Sequence, residues 1–154
     1  MKNVVIRLVG VLFLVSLTFT TATVASATPL SPAVKVALGK WYHAYFRRDV
    51  TVIKNDVANV NDDLQAGDGT DCLTDALELG TDADNMKEHH PAPYKPAQVQ
   101  WLSYLHYMGD AAGNLLEYCY GSSGPSWLAN ALKDQRHAGN ALHAVEAILE
   151  QAGV

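Results

Sequence analysis

Apolar residues return every three or four positions through four successive stretches of this chain, and breaks rich in glycine or proline separate them. That period belongs to the α-helix and leaves little room for a sheet. Ser31-Pro32 opens the first stretch with a capping side chain followed by proline at the first helical position, where its missing N–H costs nothing. Val34, Leu38, Trp41 and Tyr45, then Ile53, Val57, Val60 and Leu64, keep one face apolar as far as Gly67-Asp68-Gly69. Neither Pro nor Gly interrupts the junction at Arg47-Arg48-Asp49, so residues 32–66 are expected to form one long helix with the charged triplet as the place for a kink.

The second helix is expected to start near Thr70 or Asp71 and to bury Leu73, Ala76, Leu77, Ala83 and Met86, with Gly80-Thr81 weakening its middle. Pro91, Pro93 and Pro96 make a stiff connector from His90 to Pro96 that resists helix. A third helix spans about Pro96 to Tyr120 and stops at Gly121-Ser122-Ser123-Gly124. The fourth starts at Pro125 and carries Leu128, Ala131, Leu132, Ala138, Leu142, Val145 and Leu149 before Gly153. Short connections favour antiparallel neighbours, so the expected fold is all-α, an up-and-down bundle of about four helices.

Cys72 and Cys119 are the only cysteines, and neither has the spacing of a metal ligand. They fall in the first turn of the second helix and the last turn of the third, which an antiparallel pairing brings to one end. A disulfide is expected, and on the chain-entropy model it would stabilise the fold by about 4 kcal/mol. The N-terminus supplies the oxidising setting. Lys2 and Arg7, an apolar run from Leu8 to Phe19 and Ala25-Ser26-Ala27 read as a secretory signal peptide over residues 1–27, cut after Ala27.

Cleavage removes 27 of 154 residues and leaves a single domain at 28–154. Two of the 11 basic residues leave with the leader while all 16 acidic ones stay, so the net charge moves from -5 to -7. That charge disfavours nucleic acid and anionic lipid as partners. No second apolar run reaches the ~20 residues that span a bilayer, and with no cysteine following the leader the product is expected to be released without a lipid anchor.

The third helix is apolar around most of its circumference, with one polar strip made by Ser103, His106, Asp110, Asn114 and Glu117. Such a helix belongs at the centre of a bundle. A sharper expectation is a candidate recognition patch in which Trp101, Tyr104, Tyr107 and Tyr118 join Trp41, Tyr42 and Tyr45 of the first helix, since Tyr and Trp suit wet, partly apolar contacts.

Catalytic and metal signatures are missing. His106, His137 and His143 are expected on solvated faces, and the adjacent His89-His90 supports weak surface metal affinity at most. Asp134-Gln135-Arg136-His137 is half of a di-iron pattern whose second pair does not occur. Asp62, Asp63, Asp68 and Asp71 surround two glycines without calcium-loop spacing, and read as a capped turn. No apolar setting that would raise a carboxyl pKa is visible in the sequence. The expectation is therefore a secreted, non-enzymatic helical binding module with no cofactor, its partner an unknown protein, glycan or small molecule. The alternative is a small-ligand or haem carrier with a pocket between helices and Tyr107 or His106 near the iron; a third is a hydrolase built on two carboxylates that meet only in space.

Overall fold

The computed structural model describes residues 29–121 and 125–154, so the leader at 1–27 lies outside the described residues. The helices are α1 (Pro32–Trp41), a π-helical turn (Tyr42–Phe46), α2 (Arg47–Ala66), α3 (Gly69–His89), α4 (Lys95–Cys119) and α5 (Pro125–Ala152). No strand occurs among the described residues, and none of their helices is long and apolar enough to cross a membrane. In an antiparallel bundle α2 packs on α3, α3 on α4 and α4 on α5, and α1 closes against α5.

The first stretch is continuous from Pro32 to Ala66, but not as one regular α-helix. Ser31 caps it by accepting from Val34 N at 3.4 Å. The wide π turn then inserts an extra residue just before the charged triplet, and the inward face shifts with it. Phe46 enters the core while Tyr45, expected inside, is 39 % exposed. From Val50 and Ile53 onward the ordinary period resumes.

Gly67, at φ +75°, ends α2 in the left-handed conformation that favours glycine, and Asp68 N reaches back to Asp63 O at 3.0 Å. Asp68 then caps α3, its Oδ1 accepting from Thr70 N and Asp71 N at 3.1 Å each. The capped-turn reading of this acidic segment holds for Asp68. In α3 the buried row is Cys72, Ala76, Leu79, Ala83 and Met86, so Leu79 takes the place expected of Leu77, which is 59 % exposed. Gly80 does not break the helix. A Cβ there would stand 3.4 Å from Ala112 Cβ, so its small size permits the close approach of α3 to α4.

The central position of α4 is borne out: it packs on both α3 and α5 and buries Trp101, Tyr104, Leu105, Met108, Ala111, Ala112 and Leu115. Cys72 and Cys119 are joined, Cα to Cα 5.9 Å, and tie the start of α3 to the end of α4. One apolar core links all the helices, and Leu38, Trp101, Val145 and Leu149 are all buried in it.

Candidate functional site

Three features carry the polar chemistry of the bundle. The first gathers around His90, in the proline connector. Asp49 is fully buried on α2 and its Oδ2 lies 2.8 Å from His90 Nδ1, while Arg48 reaches Asp49 Oδ1 through Nε at 3.1 Å and Nη2 at 3.0 Å. Arg48 Nη2 also stands 3.3 Å from His90 Nε2. A guanidinium only donates, so Nε2 accepts and the ring proton sits on Nδ1, donated to Asp49. The His90 carbonyl accepts from the indoles of both Trp41, at 3.2 Å, and Trp101, at 3.1 Å. Its ring stacks on Tyr45 at 4.4 Å. Beside it Gln98 Oε1 accepts from Ala92 N, pinning the connector to α4.

This is an Asp-oriented histidine, the arrangement a hydrolase uses to hold a general base. Here the second nitrogen faces the Arg48 guanidinium, and the group clasps the connector to α1, α2 and α4. His90, expected to give weak surface metal affinity at most, is instead half-buried in this clasp, and its partner Asp49 lies 41 residues away, beyond what local spacing can show.

The second feature runs between α2 and α3. Asp49, Asp56 and Asp63 recur every seven residues on α2, and so do Asp68 at the cap of α3 and Asp75 and Asp82 within it. Two helical turns take about 7.2 residues, so each row stays on nearly one face, and the antiparallel hairpin sets the rows against each other. Asp56 is only 7 % exposed and its Oδ2 has no hydrogen-bond partner. Burial, then Asp82, Glu78 and Asp75, raise its pKa from 3.8 to about 6. Asp63 Oδ2 is likewise without a donor. Desolvation and Asp75 hold the Asp63 carboxyl above its ordinary value, with Asp71 and Asp68 adding to the effect. On α4, burial raises the Tyr104 hydroxyl above its usual pKa, and Asp56 and then Glu146 raise it further. The expectation that no carboxyl lies in a pKa-raising setting is thus corrected. The seven-residue recurrence was the signal that could have found the seam.

The third feature is the surface. A trough of about 400 Å³ runs between α3 and α4, walled by Leu77, Leu105 and Leu116 and floored by Gly109 and Gly113. His106, Asp110, Asp84 and Lys87 form its rim, with Lys87 Nζ 2.8 Å from Asp84 and His106 Nε2 3.5 Å from Asp110. A smaller depression of about 330 Å³ lies between α2 and α5, beside Tyr42, Arg47, Glu146 and Glu150.

The aromatic residues expected to form one patch are divided between core and surface. Trp41, Trp101 and Tyr104 are buried, because Trp101 packs edge-on to Trp41 at 5.6 Å and stacks with Tyr104 at 5.4 Å at the centre of the bundle. Tyr42 and Tyr107 are half-buried, Tyr107 stacking on His137 at 5.1 Å. Only Tyr45 and Tyr118 are exposed, and Tyr45 covers His90. Those three core rings cannot meet a partner at the surface.

His106, His137 and His143 lie exposed, as expected, and His143 Nδ1 pairs with Glu146 at 3.0 Å on its own helix. Asn114 departs from a purely solvated strip: its Nδ2 donates to Asp134 Oδ2 on α5 at 2.9 Å. Among the described residues, no three His, Cys, Asp or Glu side chains converge in a way that could hold a metal ion. Comparison with protein-family models, curated proteins and solved structures finds no match for this chain.

Proposed function

We propose that this protein is a secreted, non-enzymatic binding module, a disulfide-stapled bundle that receives an apolar segment of a partner protein in the trough between α3 and α4. The observation that carries the reading is the floor of that trough. Gly109 and Gly113 stand one turn apart on α4, and a Cβ added at either would meet nothing within 4 Å. Glycine inside a helix costs about 1 kcal/mol relative to alanine, and no neighbour here requires it. Bare backbone beside Leu77, Leu105 and Leu116 suits the close approach of another helix.

The occupant that fits is an amphipathic helix with apolar residues at i, i+4 and basic flanks. Asp84 and Asp110 lie on the rim, and the chain as a whole is acidic. The test titrates a synthetic 18-residue Leu/Lys amphipathic peptide into isotope-labelled protein. Amide shifts centred on Leu77, Gly109, Gly113 and Leu116, removed by Gly113→Trp, are the expected result. Shifts confined to the α2–α5 side, or none at millimolar peptide, would overturn the reading. Export has its own test: secreted material should begin at Thr28, and retention of Met1 in the cell fraction would count against it.

A further inference from the structure

The two acidic rows are not equivalent along their length. At the connector end, Asp49 has Arg48 and His90 to satisfy it. Toward the hairpin turn, Asp56 and Asp63 each present a buried oxygen that no donor reaches. The charged groups acting on Asp56 from α3 are Asp82, Glu78 and Asp75, all acidic. From α4 the facing group is Tyr104, whose own environment includes Glu146 of α5. Lys87, the base near the far end of α3, is engaged with Asp84 on the outer surface. A buried carboxylate facing other carboxylates without a cation is strongly unfavourable, and something must neutralise it.

Protons meet that need with the groups present. One proton on Asp56 turns an unsatisfied acceptor into a donor for a facing carboxylate or for the Tyr104 oxygen. A metal ion fits less well, since no three ligating side chains converge among the described residues.

We propose that the α2–α3 hairpin is an acid-set latch: a proton held by Asp56 closes α2 onto α3, and its loss loosens this hairpin while α4 and α5 stay packed. The device is independent of what the α3–α4 trough binds. The raised Asp56 pKa, about 6, places the change between mildly acidic and neutral conditions. The Asp49 clasp holds α2 to the connector after α3, and the disulfide holds α3 to α4, so the loosening is of α2 against an α3 that stays anchored.

The test is thermal unfolding of the protein in a metal chelator from pH 4.5 to pH 7.5, with hydrogen exchange read amide by amide. The midpoint of the wild type should fall by about 5 °C over that span. Asp56→Asn should remove most of the fall, while Asp84→Asn, the same charge change on the outer face of α3, should leave it in place. Exchange, corrected for its intrinsic pH dependence, should quicken at pH 7.5 in α2 and α3 and not in α4 or α5. Carboxyl carbon titration by NMR of the wild type covers the case in which a variant fails to fold: Asp56 should titrate near pH 6. An Asp56 midpoint near 4, or equal slopes for wild type and Asp56→Asn, would sink the latch. Recovery of the pH 7.5 midpoint by millimolar calcium would also overturn it, by showing that a cation closes the seam.

Discussion

The two halves of this bundle are built on opposite principles. The contact between α4 and α5 is the most extensive in the bundle, and α5 buries small and aliphatic side chains, Ala131, Ala138, Ala141, Leu142 and Val145. Between α2 and α3 the buried rows of Val50, Ile53 and Val60 against Ala76, Leu79 and Ala83 run beside two lines of aspartate. Apolar contact gains by being closed under all conditions, whereas facing carboxylates gain only where a proton or a partner is supplied. The difference teaches where this fold keeps its stability and where it can respond. Beyond its apolar contacts α3 is fastened twice, to α4 by the disulfide and, through the connector that follows it, to α2 by the Asp49–His90 clasp.

The largest effect should come from releasing the first fastening. Replacing Cys72 and Cys119 together with alanine should cost about 4 kcal/mol, read from denaturant unfolding. The loss should appear mainly as earlier exchange in α3. A cost below 1 kcal/mol would mean that α3 stays on α4 without its staple.

Next is the clasp. Asp49→Ala leaves the His90 Nδ1–H without its acceptor beside a fully buried site, and frees the connector on which both indole N–H groups depend. Arg48 is largely exposed and water can cover it, so the expected loss is about 2 to 3 kcal/mol, short of that for a wholly buried ion pair. Near-UV circular dichroism should change as well, because Trp41 and Trp101 share the same carbonyl. An unchanged tryptophan signal would reduce the clasp to a surface contact.

Much of this was legible in the sequence, and the reasons for the misses are specific. Caps, stops and period placed α3, α4 and α5, and the position of Cys72 and Cys119 at opposite helix ends foretold their joining. The period could not foretell a π turn, which swaps Phe46 for Tyr45 by adding one residue to one turn. Leu77 and Leu79 are equally apolar, and only the packing of α3 on α4 decides which turns inward. The candidate patch failed in part for a related reason: amphipathic rings suit a core edge and a surface alike, and Trp101 found partners inside. The seam was written openly in the seven-residue aspartate rows. What the sequence could not show is that the hairpin turns those rows toward each other.

Asp56→Asn bears directly on the contrast between the halves. The folded protein binds this proton more tightly than an unfolded chain, with its pKa raised from 3.8 to about 6. The stability it confers is therefore fully present below pH 4 and is lost as pH rises through 6. Full conversion of the shift is about 3 kcal/mol, and solvent screening along the open side of the seam reduces that to about 1 to 2. The variant should gain that amount at pH 7.5 and nothing at pH 4. Equal gain at both pH values would point to helix propensity or packing as the cause.

The smallest effect probes the other face of α3 and α4. Gly109→Ala and Gly113→Ala place a Cβ where nothing stands within 4 Å and where neither glycine has a positive φ, so each should stabilise the protein by about 0.5 to 1 kcal/mol. A gain would show that the fold keeps both glycines at a cost, which leaves the approach of an outside helix as their use. A loss would place the cause inside the bundle and remove the trough's strongest support. Gly80→Ala is the internal contrast: its Cβ would press on Ala112 at 3.4 Å, so part or all of the propensity gain should be cancelled there. The two kinds of helical glycine are thereby separated, one set by the contact between α3 and α4 and the other by what lies beyond it.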